Sequence, residues 1–254
     1  MNQSISRELN GGRKSLPHLI AICLSALVLV APRIEARVFT SSDGKQVDAE
    51  VIEVRGGSVI LGIGTKRYTL EIGRFSKADQ EYIAEWKANA DKTKIPKLDV
   101  QISPGSNNRL DKKDCFDDRV GSFNFTIKVE NEEQGYNIEN AEATLVVLGE
   151  SCEWSDEFVV FQRQTFKISV EEGKTFEWKG PELKYRFDDS PPAYWGHKYY
   201  AYLFMIKNAD GVVIFRKASQ PKFDAFLDAG IALKEKEFVD KSLKKLNRTH
   251  YLYF

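Results

Sequence analysis

Tyr199-Tyr200-Ala201-Tyr202-Leu203-Phe204-Met205-Ile206 is the stretch on which the fold turns. The eight residues between Lys198 and Lys207 carry no charge, and no period within them separates an apolar side from a polar one. A run this short and this aromatic reads as a strand buried on both faces rather than as a helix. Simple alternation sets Tyr200, Tyr202, Phe204 and Ile206 on one face and Tyr199, Ala201, Leu203 and Met205 on the other. Such a strand belongs in the middle of a sheet. Asn208-Ala209-Asp210-Gly211 then turns the chain into Val212–Phe215, a hairpin signal.

Upstream, Leu98–Ile102 and Phe123–Val129 alternate, with Phe123, Phe125, Ile127 and Val129 on one side. Ala141–Leu148, Glu157–Phe161, Phe166–Val170 and Thr175–Trp178 continue the series, punctuated by Gly105, Gly135, Gly149, Gly173 and Gly211. Short strands with frequent turns predict an antiparallel β-sandwich over residues 97–230. Downstream, residues 231–254 change to mixed charge, with Val239, Leu243 and Leu246 at helical spacing. The expectation there is a short charged surface helix, with Lys241, Lys244 and Lys245 on its wet side. Glu235, Glu237 and Asp240 offset those lysines, so the face is solvated rather than membrane-bound. The final Tyr251-Leu252-Tyr253-Phe254 reads as a terminal strand or a loosely held tail.

At the other end, Arg7, Arg13 and Lys14 precede an apolar run from Leu19 to Val30, and Ala31-Pro32-Arg33-Ile34-Glu35-Ala36 ends on a small residue. Basic, then apolar, then small is the order of a secretory signal peptide, here read as residues 1–36 with cleavage after Ala36. The run is shorter than the ~20 residues a spanning helix needs. No stable membrane span is therefore expected after cleavage, and an uncleaved N-terminal anchor is the alternative.

Residues 37–90 read as a separate small module of four short strands. Asp43-Gly44 and Gly56-Gly57 mark turns. Between them Val47, Ala49 and Val51 line one side of a strand, with Ile52 and Val54 on the other. Ser58–Ile63 and Tyr68–Ile72 supply the next strands. Ser76 is placed to cap a helix through the Asp79 N–H, and Ala78, Tyr82, Ile83 and Trp86 share the face that would close one end of the sheet. Asp91–Pro96 is polar and Pro-ended, a linker covering residues 91–96.

Within this module Phe39-Thr40-Ser41-Ser42-Asp43-Gly44-Lys45, Ala49-Glu50-Val51, Gly57-Ser58-Val59 and Arg74-Phe75-Ser76-Lys77-Ala78-Asp79-Gln80-Glu81-Tyr82-Ile83 resemble the SLA1 homology domain 1 family, of the type that follows signal peptides in proteins of the Planctomycetes and Verrucomicrobia. The resemblance covers about a fifth of the chain. It implies an SH3-like barrel and, from the family's eukaryotic adaptors, recognition of short peptide motifs. Gly62-Ile63-Gly64 and Glu71-Ile72-Gly73 depart from the family pattern, and no peptide-contacting residue is carried over. Farther on, the strand ending in Val129-Glu130-Asn131, the Ser169–Lys174 turn and the last hairpin are similar to immunoglobulin-like modules.

The chemistry is sparse. Across 254 residues, 37 basic and 37 acidic groups leave a net charge of zero, with no basic excess to attract nucleic acid. The signal segment removes four basic and two acidic groups and Cys23, leaving 33 basic, 35 acidic and two thiols, Cys115 and Cys152. In an oxidising compartment a disulfide is the expected state of that pair, and two separate buried thiols the alternative. No nucleophile elbow, zincin, P-loop or dinucleotide motif is present, and the remaining histidines, His197 and His250, have no partner motif. No cofactor or metal is expected. Asp111, Asp114, Asp117 and Asp118 could supply oxygens to calcium, yet they match no loop pattern and sit beside Lys112 and Lys113, so a solvated loop is expected.

Pro191-Pro192-Ala193-Tyr194-Trp195-Gly196 is the most suggestive binding stretch: Tyr194 and Trp195, on a Pro-bounded loop, could stack on a sugar or fill a peptide pocket. The reading as a whole is of a mainly β, non-catalytic, secreted or periplasmic protein that binds a protein or peptide. Carbohydrate binding by the sandwich is the first alternative. A hydrolase with an unrecognised carboxylate site is the second, for which Asp117–Asp118 and Asp188–Asp189 lack the facing geometry a glycosidase pair needs.

Overall fold

Strands β1 (Arg37–Thr40), β2 (Gln46–Arg55), β3 (Ser58–Ile63) and β4 (Lys66–Glu71) form an antiparallel sheet in chain order, and helix α1 (Lys77–Thr93) packs on it. The structure is a computed structural model that describes residues 36–111 and 118–248. All of the expected signal segment but Ala36, and with it Cys23, as well as Cys115, Asp114, Asp117, His250 and the Tyr251–Phe254 tail, lie outside the described residues. The described residues belong to one compact unit.

The helix begins as its sequence dictates. The Ser76 hydroxyl accepts from the Asp79 N–H at 3.3 Å. Asp79 itself is buried, and its carboxylate ties the helix to the first strand by accepting from the Thr40 N–H (2.9 Å), the Ser76 hydroxyl (2.8 Å) and the Arg37 guanidinium (3.1 Å). Ile83, fully buried, and the half-buried Tyr82 and Trp86 close over Phe39, Val59 and Leu61. The helix runs three residues into the expected linker, because the Lys87 ammonium pairs with Asp91 one turn on and the Lys94 N–H closes the last turn on the Asp91 carbonyl.

Strands β5 (Leu98–Leu110), β6 (Arg119–Asn131), β7 (Ile138–Ser151), β8 (Glu157–Val170), β9 (Thr175–Lys179), β10 (Leu183–Asp188), β11 (Trp195–Lys207), β12 (Val213–Ala218) and β13 (Phe238–Asp240) form the second sheet. Its path is β13-β8-β7-β11-β10-β6-β5, with β12 also on β11 and β9 also on β6. Only Phe187–Gly196 and Asp188–Trp195 join β10 to β11. At that fold line the sheet doubles over, so that Phe123, Phe125 and Ile127 of β6 meet Leu145, Phe161 and Phe204 of the facing layer. Gly196 permits the fold: its φ is +77°, and a Cβ there would stand 2.8 Å from the Arg186 carbonyl. The expected mainly β, antiparallel sandwich is thus the observed architecture. Two expected strands, Glu157–Phe161 and Phe166–Val170, are one continuous β8, and β10 and β13 were not anticipated.

The central strand is buried on both faces, but not in simple alternation. Register shifts between Tyr199 and Ala201, so Tyr199 packs inward with Tyr202, Phe204 and Ile206 while Tyr200 packs outward with Ala201, Leu203 and Met205. A bulge adds one residue and inverts every side chain before it. The same device acts in β2, where a shift between Val51 and Glu53 leaves Ile52 exposed and turns Val54 into the core with Ala49 and Val51.

The outer face of this layer presents Val146, Leu148, Phe158, Val160, Ala201, Leu203 and Met205. Leaving them wet would cost on the order of 10 kcal/mol, as much as a whole domain's stability. The C-terminal segment covers them. Phe223, Leu227, Ile231, Leu233, Val239 and Leu243 are its inward residues, carried by a 3-10 turn (Pro221–Phe226), the short helix α2 (Leu227–Ile231) and β13.

The expected surface helix over 231–254 is therefore corrected for the described part. Lys236 and Leu243 have φ of +67° and +56°, which no helix tolerates. The Asp240 carboxylate accepts from the Ser242 and Lys244 N–H groups (2.8 and 3.0 Å), and the Leu246 N–H donates to the Phe238 carbonyl (2.8 Å). The helical spacing of Val239, Leu243 and Leu246 comes from a tight hairpin that returns each of them to a core. Among the described residues, no helix is long and apolar enough to cross a membrane.

Candidate functional site

The residues expected to bind do not form one platform. Tyr194 stands 46% exposed ahead of β11, whereas Trp195 is the half-buried first residue of that strand, paired with Asp188, and not part of a loop. His197, which the sequence left without a partner motif, is buried in β11 with its ring edge-on to Phe238 at 5.5 Å. Asp188 accepts from the Ser190 N–H at 2.8 Å, and Asp189 takes the Arg119 and Lys198 cations at 3.0 and 3.5 Å. Asp111 and Asp118 both engage the Arg186 guanidinium (3.1 and 3.3 Å). Among the described residues no group of three or more His, Cys, Asp or Glu is placed to hold a metal ion. Cys152 is a free, half-buried thiol among the described residues, pushed up to about 11 by burial; its expected partner Cys115 lies outside them.

A concavity lies elsewhere, along the seam between the first sheet with its helix and the sandwich. It encloses about 580 Å³. Its walls are the last turns of α1 (Lys87, Ala88, Asp91, Lys92), the loop leading into β7 (Gly135–Glu139) and the β11–β12 turn (Asn208–Asp210).

Three devices fix these walls. Buried Asn131 holds the loop, donating from Nδ2 to the Tyr136 and Val170 carbonyls (2.7 and 3.3 Å) and accepting at Oδ1 from the Glu133 N–H (3.1 Å). Buried Asn208 holds the turn, accepting from the Val212 N–H (2.9 Å), while its Nδ2 reaches across the seam to the Lys92 carbonyl (2.8 Å), an orphan of the helix end. The Lys94 ammonium meets Glu133 at 2.9 Å and lies 5.3 Å from the Tyr136 ring centre. That ion pair, opposed by burial, holds the Glu133 carboxyl below its usual range. At the back, Gly135 (φ +67°) lets the loop approach Gly56, whose nitrogen would stand 3.1 Å from a Cβ there.

Tyr136 is the floor. Its ring belongs to the sandwich core and the residue is only 8% exposed. Burial, followed by the charges of Asp91, Asp210 and Glu139, pushes its phenol pKa up. The hydroxyl thus remains a proton donor throughout the neutral range, and among the described residues it has no hydrogen-bond partner. Asp91 is occupied by Lys87, and Lys92 by the Asn89 side chain (2.9 Å). Glu139, Glu172 and Asp210 line the groove exposed and without an ion pair among the described residues. The groove therefore offers a donor at its floor and an excess of negative charge, four acids to two lysines, around it.

Sequence reasoning did not find this site. Asn208–Gly211 was legible as a turn, but the reach of Asn208 to Lys92 spans 116 positions and leaves no local pattern. The available signal was Tyr136 itself, an aromatic beside glycine in the polar run Asn131-Glu132-Glu133-Gln134-Gly135-Tyr136-Asn137.

No known protein family matches the chain, and no curated protein matches it. Among solved structures, a crystal structure of a protein from Akkermansia muciniphila is similar over 49% of this chain and 72% of its own, at 13% identity and a TM-score of 0.24, a likeness too slight to transfer fold or activity.

Proposed function

We propose that this is a non-catalytic protein- or peptide-binding protein, exported to the periplasm or beyond, whose ligand seats in the seam groove. The observation that carries the reading is a polar cleft of about 580 Å³ whose three walls are locked by Asn131, Asn208 and the Lys94–Glu133 pair. A cleft shaped in advance spares the ligand the cost of ordering its seat. Export is supported by the order of charge, apolar run and small residue in residues 7–36, and peptide recognition by the resemblance of residues 37–90 to an adaptor family. Neither cofactor nor metal enters the proposal. In the exported protein Cys115 and Cys152 form a disulfide, which the intact mass without reductant tests: two hydrogens fewer than the reduced chain is expected, and an unchanged mass contradicts the pairing.

Selection of a displayed random-peptide library on the intact protein tests the binding claim. Selected peptides should bind saturably, and Ala88→Trp, at an exposed helix position in the groove wall, should weaken them at least tenfold without changing the melting temperature. Equal affinity in the variant, or no saturable peptide at all, overturns the proposal.

The exposure of Tyr194 favours one second reading, carbohydrate binding at the start of β11. Tyr194→Ala should then abolish retention on insoluble polysaccharide, and equal retention of variant and wild type ends that reading.

A further inference from the structure

The seam groove has a chemistry more specific than its shape. Three carboxylates, Glu139, Glu172 and Asp210, stand at its rim with no ion pair among the described residues; of the two lysines in the groove wall, Lys87 is held by Asp91 and Lys92 by the neutral Asn89 side chain, so four acids face two lysines. Carboxylates alone would be an ordinary wet surface. The floor sets this cluster apart: Tyr136 is more than nine-tenths buried, lines the same groove, and brings an unpartnered hydroxyl among those acids. The ring is buried but its oxygen opens onto the groove, so a ligand seated there meets a hydroxyl that no group of the described residues occupies. A lysine or arginine side chain complements the acidic side of this surface: its apolar stem can lie along the Ala88 and Ile138 walls and its charged head can stand among Glu139, Glu172 and Asp210. A bridging water held between that head and the phenol completes the oxygen's hydrogen bonding, since both groups are donors and the phenol oxygen also accepts.

We infer that the groove recognises a basic side chain, a lysine ammonium or an arginine guanidinium, presented by the bound peptide. The inference rests on the proposed peptide-binding role and narrows it to a cationic ligand. An anionic or purely apolar segment would leave the rim charges buried and uncompensated. Each rim carboxylate is exposed, so each contributes modestly and the recognition is cumulative.

Calorimetric titration of the full protein with pentalysine at low salt, beside pentaglutamate, is the test. Pentalysine should bind saturably and pentaglutamate should not. The double variant Glu139→Gln/Asp210→Asn should weaken pentalysine about tenfold, and Tyr136→Phe severalfold with the fold intact. Glu153→Gln/Glu182→Gln makes the same change in net charge at exposed positions outside the groove, and should bind as wild type does.

Equal loss in that control double variant, unimpaired binding by the groove variants, or no saturable pentalysine binding overturns the inference. Selected peptides that lose affinity in Ala88→Trp yet carry neither lysine nor arginine overturn the cation claim and leave the groove standing as the binding site. Peptides indifferent to Ala88→Trp refute the groove itself.

Discussion

The two sheets of this protein are stabilised in different ways. The layer built on β7, β8 and β11 is clad on both sides, by the facing strands and by the C-terminal segment, and its stability is apolar. The first sheet is clad on one side only, by α1 and its own curl, and leaves Val38, Ile52 and Tyr68 exposed. With a smaller core, it leans on a polar hub: Asp79 binds a strand backbone, a helix cap and an arginine at once. A small module that cannot bury enough surface needs such a staple, and docking against a larger neighbour is a second one. The seam groove is a by-product of that docking, which explains why its walls come from both partners.

Leucine truncations break the comparison most sharply. Leu203 and Leu61 are each fully buried, one in the doubly clad layer and one in the first sheet. Leu203→Ala, whose surroundings are held from both sides, should cost about 4–5 kcal/mol, and Leu61→Ala, beside an open edge that can relax, about 2–3 kcal/mol, because the cost of a cavity depends on how far its walls can close. Urea denaturation of both variants checks this, and equal costs would erase the distinction.

Removing the hub comes next. Asp79→Ala should cost about 2–4 kcal/mol, since it strands the Thr40 N–H and one helix cap and frees the Arg37 charge. Burial raises the Asp79 pKa, but the Thr40 N–H, the Ser76 hydroxyl and Arg37 more than offset it, and the folded value lies below the unfolded one. The contribution is therefore complete above the ordinary carboxylate pKa, and it is lost as pH falls through the depressed folded value. Acid titration of stability should show wild type approaching Asp79→Ala at low pH, and a constant gap down to full protonation would contradict the assignment.

The smallest effect sharpens the seam. Asn208→Ala should cost about 1–2 kcal/mol, from the bond across to Lys92 and the turn bond to Val212. It should also raise amide exchange in the last turn of α1, and unchanged exchange there would mean that the seam is held by other contacts.

How far the sequence spoke can be followed in particular residues. Ser76 announced its helix, and Tyr199–Ile206 its twice-buried strand, because both signals are local. The faces of Val54, Tyr199 and Tyr200 were misassigned, since a bulge of one residue is invisible to a period of two. The hairpin after Ile231 imitated a helix, its apolar spacing set by where two cores lie rather than by a helical turn. Tyr194 and Trp195 attracted attention as exposed-looking aromatics, although pairing with Asp188 draws Trp195 into a strand. The groove was illegible because its walls, residues 87–92, 135–139 and 208–210, lie far apart in the chain and meet only when both modules are docked.

The claim that the ligand sits where two modules meet is tested most directly by amide chemical shifts of the isotope-labelled protein titrated with a peptide selected on it. The account predicts saturable shifts grouped in three places at once, residues 87–92 of α1, 135–139 before and in β7, and 208–210 between β11 and β12. Shifts confined to one module, or centred on Tyr194, would contradict it.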